Sequence, residues 1–165
     1  FFSKLVDNNF DPFVTLYFNE NVTVEQAKSV CEVLSLIEGE YGIRIESPPL
    51  GTIYYKAFIP NEKYRSRAFR HIQPWELHLF SPSSTNHTTL TLVEEVWKDD
   101  SIYPELNTTD YIVNNVSQLQ SLINIHNLNL SVILVFAEPA VTHAALMHIL
   151  APVISTYKTI HVFVK

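Results

Sequence analysis

Histidines are the residues of this chain most able to hold a metal ion, and the sequence contains seven of them. The two that lie closest together, His143 and His148, are five residues apart. On an α-helix that spacing turns the second imidazole by about 140° from the first. A metal-binding pair on one helix face needs a spacing of four. The sequence therefore predicts surface histidines at both positions and no metal site.

The carboxylate of Glu138 is a second candidate, because it follows a predicted strand directly and precedes a predicted helix. Ligands of α/β sheets often bind at such a strand end. A carboxylate there also complements the positive end of the helix dipole. We favour the second interpretation, in which Glu138 stabilises the start of the helix.

A third candidate is a basic stretch, since five of the eleven basic residues lie between positions 56 and 70 among aromatic residues. Rings among cations can stack on bases or sugars, while the cations hold phosphates or carboxylates. The alternative is a strand followed by a solvated basic loop, which the acidic composition of the whole chain favours. The candidate contacts with an anionic partner are Lys56, Lys63, Tyr64, Arg65, Arg67 and Arg70.

Sequence signatures of enzymes are missing. The chain contains no G-x-S-x-G element, no phosphate-binding glycine loop and no paired catalytic carboxylates. Its three glycines are too few for the loops that such sites need. We therefore predict a protein that is not an enzyme and that binds no cofactor.

The composition is that of a folded, soluble domain. With 165 residues, of which 47% are hydrophobic, the chain can bury a core in one domain or in two small ones. Its net charge of -6 argues against a general affinity for nucleic acid, which requires a basic surface. The single Cys31 excludes an internal disulfide and is expected to be a small core residue.

Features of membrane targeting are also missing from the sequence itself. No apolar stretch approaches the roughly 20 residues of a membrane span. Because the chain begins at Phe1 without a methionine or a signal-peptide pattern, we expect a piece from which a targeting or anchoring segment has been removed.

The clearest structural elements lie at the C-terminus. Residues 132–136 are apolar at every position, which is typical of a strand buried on both faces. Residues 142–153 carry apolar side chains at helical spacing, and residues 159–164 alternate. This order predicts two parallel strands joined by a helical crossover. We expect Thr142 to cap the helix and Pro152 to kink it or end it near Ala151.

The first helix has an equally clear start. Thr23 and Gln26 form a capping box, in which each side chain bonds the other residue's backbone N–H. Ala27, Val30 and Cys31 follow at helical spacing and predict the apolar face of this helix.

The middle of the chain contains a predicted hairpin and a predicted helix. Residues 75–97 form two strand patterns separated by a turn-rich loop, and a turn follows at residues 98–101. Thr108 or Thr109 is expected to cap the helix, with Ile112, Val116, Leu119 and Ile123 on its apolar face.

Residues 13–18 are rich in β-branched and aromatic residues and predict the first strand. Together these patterns predict the order β-α-β-β-β-β-α-β-α-β. Such an order indicates an α+β fold, in which helices pack on one face of a mixed β-sheet. The segments 34–49 and 121–140 resemble each other, since each is a helix end followed by a strand and a proline. Two related halves are therefore an alternative to a single unit.

The segment VILVFAEPAVTHAALMHIL and the alternating last strand resemble the end of the periplasmic domain of ExbD/TolR-type biopolymer-transport proteins. That family has an apolar strand ending in a pair such as Ala-Asp, then a valine, an aromatic residue two positions later, and a helix with Leu-Met or Leu-Val. The corresponding residues here are Ala137 with Glu138, Val141, His143, and Leu146 with Met147.

The resemblance covers residues 73–165. The segments WELHLFSPSS and TLTLVEEVWKDDSIY, with the helix after them, follow the family's order of a Leu-Pro stretch, a strand, a short turn with an isoleucine-tyrosine strand, and a helix. It divides the chain into an ExbD/TolR-like domain at residues 73–165 and an N-terminal β-α-β-β unit of unknown role at residues 1–72.

The resemblance implies an extracytoplasmic, periplasmic domain, anchored to an inner membrane by an N-terminal helix outside this sequence. The implied partners are an ExbB/TolQ-like channel protein, a TonB/TolA-like protein or peptidoglycan, and a second copy that forms a homodimer. The implied task is to pass a proton-driven conformational change to such a partner. An exposed sheet edge could do this, since a peptide can add to it as a further strand.

The alternative function is a ligand-binding or sensory module, in which the strand-helix-strand units surround a cleft lined by residues 54–70. Sequons for N-glycosylation are consistent with an extracytoplasmic location, but a chain rich in Asn, Ser and Thr also contains them by chance. The five sequons begin at Asn21, Asn86, Asn107, Asn115 and Asn129.

Overall fold

The computed structural model describes residues 18–38, 43–47, 51–56, 75–102, 104–151 and 158–165. Within these residues the chain forms seven strands and three helices. The strands are β1 (Ile43–Ser47), β2 (Gly51–Lys56), β3 (Trp75–Leu79), β4 (Thr89–Val96), β5 (Glu105–Ile112), β6 (Val132–Ala137) and β7 (Lys158–Val164). The helices are α1 (Val24–Glu38), α2 (Val116–Ile125) and α3 (His143–Leu150).

The strands form one mixed sheet in the order β1-β2-β7-β6-β3-β4-β5. The four central strands β2, β7, β6 and β3 are parallel, whereas β1 at one side and β4 and β5 at the other are joined by antiparallel pairing. This architecture confirms the predicted α+β class and the predicted hairpin of β3 and β4. Because β2 pairs with β7, strands from residues 1–72 and 73–165 share the sheet.

The C-terminal strand-helix-strand unit lies at the centre of this sheet. β6 and β7 run parallel with six residue pairs in register, and α3 lies between them in the chain, as predicted. β6 is apolar throughout because both its faces are covered. Ile133 and Val135 belong to the main core, whereas Leu134 and Phe136 form a second cluster with Phe163 on the opposite face.

Local signals set both ends of α3. The Thr142 hydroxyl accepts a hydrogen bond from the N–H of Ala145 at 3.1 Å, which satisfies one of the free donors of the first turn. The helix ends at Leu150, two residues before Pro152, whose ring cannot continue an α-helix. Both predicted ends of the helix are confirmed.

The three helices contribute to the same side of the sheet. Ala27 of α1, Leu119 of α2 and Leu146 of α3 are each at most 1% exposed and belong to one cluster. Val135 and Val162, which point to one face of their strands, belong to that cluster as well. The predicted packing of helices on one face is therefore confirmed for the described part of the chain.

The predicted capping box of α1 is present. The N–H of Gln26 donates to Thr23 Oγ1 at 3.2 Å, and the N–H of Thr23 donates to Gln26 Oε1 at 3.0 Å. These two bonds satisfy two backbone donors at the helix start, which explains why α1 begins at Val24.

The apolar face of α1 differs in one residue from the prediction. Val24, Ala27 and Cys31 are buried, and burial raises the pKa of the Cys31 thiol to about 12, which confirms that it is a core residue. Val30 is 45% exposed, so its predicted place on this face is wrong. At 100° per residue, Val30 lies about 90° from the centre of the buried stripe.

Strand β5 lies where the sequence analysis predicted the start of a helix. We predicted a helix from Thr108 or Thr109, but Glu105–Ile112 form a strand that pairs with β4 over eight residues. Threonine, tyrosine and isoleucine all favour extended backbone, which is the physical reason for the strand. Ile112, which we placed on the apolar face of a helix, is 50% exposed.

The helix in this region begins later, at Val116. The N–H of Gln118 donates to Asn115 Oδ1 at 2.9 Å, and the Gln118 side chain accepts from the N–H of Asn114 at 3.0 Å. Asparagine is among the strongest N-cap residues, so this pair sets the start of α2. Leu119 and Ile123 are buried, as predicted for the apolar face.

Some sequence predictions lie outside the described residues. The predicted strand at residues 13–18 does so except for Phe18. The two similar segments occupy different places, since residues 34–49 lead into the edge strand β1 and residues 121–140 contain the central strand β6. In the part of the chain that the structure describes, no helix combines the length and the apolar character needed to span a membrane.

Candidate functional site

The two histidines of α3 have different surroundings. His148 is exposed, as predicted. His143 is half-buried, with its ring centroid 4.9 Å from that of Phe18, and burial lowers its pKa. The prediction of a surface residue at His143 is therefore wrong. Among the described residues, no group of three His, Cys, Asp or Glu side chains could hold a metal ion.

Glu138 binds the loop after β3 through its carboxylate. Oε2 accepts the backbone N–H of Ser81 at 2.9 Å, and Oε1 accepts the Ser84 hydroxyl at 2.9 Å. The N–H of Ser81 contributes most to lowering the Glu138 pKa, with help from both serine hydroxyls and the charge of Lys165. This corrects our interpretation that Glu138 stabilises the start of the last helix. Through these two hydrogen bonds the carboxylate holds the β3–β4 loop against the end of β6.

The other positions of the family motif are structural. Val141 is 2% exposed and Leu146 is fully buried, and both belong to the main core. Neither side chain is available to a partner, so the resemblance at these positions concerns packing.

The predicted basic site lies mostly outside the described residues. Lys56 is the last residue of β2, where its backbone is in register with Phe163 of β7. Lys63, Tyr64, Arg65, Arg67 and Arg70 lie outside the described residues, and so does most of the cleft proposed for a ligand-binding module.

The fold also assembles a group on the second face that sequence reasoning missed. His78, Phe136 and Phe163 occupy one row of three adjacent parallel strands. Their rings stack, with centroids 5.1 Å apart for the first pair and 5.0 Å for the second. Glu76 is 3% exposed, and its carboxylate lies 3.1 Å from Nε2 of His78.

A carboxylate beside an imidazole is one half of a general acid–base arrangement. Such a group also needs a nucleophile or a substrate within hydrogen-bond reach. Among the described residues, the hydrogen-bond partner of His78 is Glu76. The pair is therefore best described as a paired polar group within a row of stacked rings.

The exposed edge strand β5 is the strongest candidate for a functional surface. It ends the strand order, and six of its eight side chains are exposed. The direction of its backbone groups follows from one bond, in which the N–H of Val113 donates to the Thr88 carbonyl at 2.7 Å. That pair continues the register of Thr89 with Ile112, so Val113 bonds inward, toward β4.

Hydrogen-bonded and non-bonded positions alternate along an antiparallel strand. Counting back from Val113, the odd-numbered residues of β5 bond to β4. The even-numbered residues direct both their N–H and their C=O groups to the open edge. These outward-facing residues are Leu106, Thr108, Asp110 and Ile112.

Contacts with β4 and α2 hold β5 in place. The Thr91 hydroxyl, on a residue that is 7% exposed, donates to Asp110 Oδ1 at 2.6 Å. On the helix side, Tyr111 packs against the main core, with its ring 5.0 Å from that of His126. Among the described residues no further strand pairs with the outer side of β5, so in this part of the chain β5 is a stable and open edge of the sheet.

The turn that joins β4 to β5 also exposes apolar side chains. Residues 98–101 form the predicted turn, in which the N–H of Ser101 donates to the Lys98 carbonyl at 3.0 Å. Trp97 is 63% exposed and Ile102 is 84% exposed. Aromatic side chains at a surface are typical of contact sites, so the open edge of β5 continues into a turn with apolar contact area.

The comparisons with known proteins yield no relative. The chain matches no family model, and no curated protein and no solved structure is significantly similar to it.

Proposed function

We propose that this chain is a non-enzymatic interaction domain that binds an extended segment of a partner at the open edge of β5. The single observation that carries the proposal is the direction of the backbone groups of β5. Four residues present four N–H and four C=O groups to the open edge. Strand addition of this kind takes its affinity from main-chain hydrogen bonds and its specificity from alternate side chains.

The nature of the strand supports this proposal. Exposed edges promote aggregation, and many proteins blunt them with proline, bulges or inward-pointing charges. None of the eight residues from Glu105 to Ile112 is a proline, and all eight pair with β4 in continuous register. A regular edge of this length, without a proline or a bulge, is suited to accept another strand.

We further propose that the domain works outside the cytoplasm, in a complex of the ExbD/TolR kind. From β4 onward the order is β-β-α-β-α-β, which is compatible with the order of elements that the resemblance implies. The asparagines of all five sequons are exposed, which is compatible with an extracytoplasmic location. The proposed partners are an ExbB/TolQ-like channel protein and a TonB/TolA-like protein, peptidoglycan or a second copy.

Site-specific photo-crosslinking in cells that produce the full-length protein tests this proposal. A photoreactive residue replaces Ile112, which is half exposed at the edge, or Glu20, an exposed residue before α1 that serves as the control. We expect adducts from position 112 and none from position 20, identified by mass spectrometry as a membrane-complex partner or a second copy. Equal adducts from both positions, or none from position 112, would contradict the proposal.

Thr108→Pro sharpens this test, because proline removes one outward N–H without removing a bond to β4. We expect the adducts from position 112 to fall at least severalfold in this variant. Undiminished adducts would show that the partner contacts side chains near β5 without adding a strand.

A further inference from the structure

The negative charge of this chain is concentrated around the open edge. Residues 89–112, which include β4, the turn and β5, contain six acidic residues and one basic residue, Lys98. Their net charge of -5 accounts for nearly all of the -6 of the whole chain. The remaining 141 residues are thus close to neutral in sum.

The acidic residues flank the edge on both faces of the sheet. Glu94 is in register with Asn107 on one face, whereas Asp110, which is in register with Thr91, belongs to the opposite face. Asp110 lies on β5 itself and is exposed. A strand added to β5 would therefore have carboxylates within side-chain reach on either face.

The basic residue of this region is already paired. Lys98 forms a salt bridge with Glu105, in which both side chains are about 60% exposed. An exposed pair of this kind is worth at most about 1 kcal/mol, but it neutralises the lysine locally. Glu94, Asp99, Asp100 and Asp110 add further negative charge around the edge.

A groove beside the edge contains one of these carboxylates. Glu94 and Asn107 line a groove of about 540 Å³ together with His126, the residue that caps the C-terminal end of α2. The C-terminal end of a helix carries a partial negative charge. The groove lies within the size range of protein binding sites, and beside the apolar side chains of Leu92 and Leu128 it offers the Glu94 carboxylate to a cation.

We infer that the partner strand of β5 is a basic segment, with lysine or arginine side chains that alternate across the two faces of the sheet. This inference rests on the proposed strand addition and specifies its partner. Main-chain bonds hold the segment at the outward-facing residues, while its cations lie near Glu94 on one face and near Asp110 on the other. The opposite charges speed the encounter and select the partner.

Selection of peptides against the intact chain tests the inference. Random 12-residue peptides displayed on phage are selected for binding to the native protein. Peptides that also bind the Thr108→Pro variant are removed, because their binding does not depend on the open edge of β5. We expect the selected peptides to be enriched in lysine and arginine. We also expect their affinity to fall roughly tenfold between 50 and 500 mM salt, because exposed charges are screened.

Two charge variants test whether peptide affinity depends on the acidic residues close to β5. Glu94→Lys should weaken the selected peptides roughly three- to tenfold, since it replaces an attractive contact with a repulsive one. Glu20→Lys changes the net charge equally, but lies away from β5 before α1, and should have little effect. Equal losses in the two variants would overturn the local role of the acidic residues.

The outcomes separate the two proposals. Peptides that require Thr108 but are neutral or acidic would overturn the basic partner and leave strand addition intact. If no selected peptide distinguishes Thr108→Pro from the native protein, strand addition itself fails. Self-association that depends on β5 and persists at high salt would likewise overturn a basic partner.

Discussion

The assignment of inward and outward residues in β5 can be tested by a pair of proline substitutions. Thr109 is directly opposite Leu92 and, as an odd-numbered residue, donates its N–H to β4. Thr108 directs its N–H to the open edge. The two residues are adjacent, identical in type and both exposed, so each variant is the matched control of the other.

The two substitutions should lower the free energy of unfolding by different amounts. Thr109→Pro removes one ladder bond, worth about 1 kcal/mol, and leaves the Leu92 carbonyl without its donor, which costs about 1–3 kcal/mol more. Thr108→Pro removes a donor that faces water, and an edge strand tolerates proline there, so we expect a loss within about 1 kcal/mol. Thr109→Pro should therefore be less stable than Thr108→Pro by about 2–3 kcal/mol.

Urea unfolding followed by tryptophan fluorescence measures this difference. Trp75 is 1% exposed and its indole N–H donates to the Asn129 carbonyl, so its emission reports on the folded core. For a domain of this size the difference corresponds to about 4–12 °C in Tm. Equal losses in the two variants, or a larger loss in Thr108→Pro, would refute the assignment of the outward-facing residues and with it the proposed binding edge.

Three further predictions concern titrating groups. Because burial raises the pKa of the Cys31 thiol to about 12, we expect a thiol reagent at pH 8 to label the unfolded chain at least a hundredfold faster than the folded one; fast labelling of the folded protein would contradict this. Burial lowers the pKa of His143 below 6.5, so the stability that is present above pH 6.5 is lost as the pH falls through the folded-state pKa. The variant His143→Gln should therefore show a smaller change in the free energy of unfolding between pH 7 and pH 5. The lowered pKa of Glu138 acts in the same direction below pH 4.5, so Glu138→Gln should reduce the acid sensitivity measured there; an unchanged pH profile would show that its bonds to the loop are not formed in solution.

The C-terminal unit was predictable because its signals are local. A strand buried on both faces must be apolar at every position, and an amphipathic helix repeats its pattern within a few residues. β6, α3 and β7 each meet these conditions, and the caps at Thr142 and Thr23 lie within three residues of their partners. Reading such contacts requires no knowledge of the distant chain.

Contacts between distant residues were not predictable in the same way. The bond of Glu138 to Ser81 joins residues 57 apart in sequence, and only the pairing of β3 with β6 brings them together. The stacked rings of His78, Phe136 and Phe163 likewise depend on the register of three strands. Sequence patterns alone contain no information on register between strands this far apart.

Strand β5 shows why a binding edge is difficult to recognise by its hydrophobic pattern. Periodicity detects a strand only when one face is buried, and six of the eight residues of β5 bury little surface. Its conformation is instead set by the backbone ladder to β4, by the bond of Thr91 to Asp110 and by the packing of Tyr111. A strand held mainly from one edge leaves its other edge and its side chains unused by the core. The missing hydrophobic pattern of β5 and the availability of its edge therefore have the same physical cause. When a segment predicted as a helix proves to be an exposed strand, that difference is itself a reason to test the edge of the strand for binding.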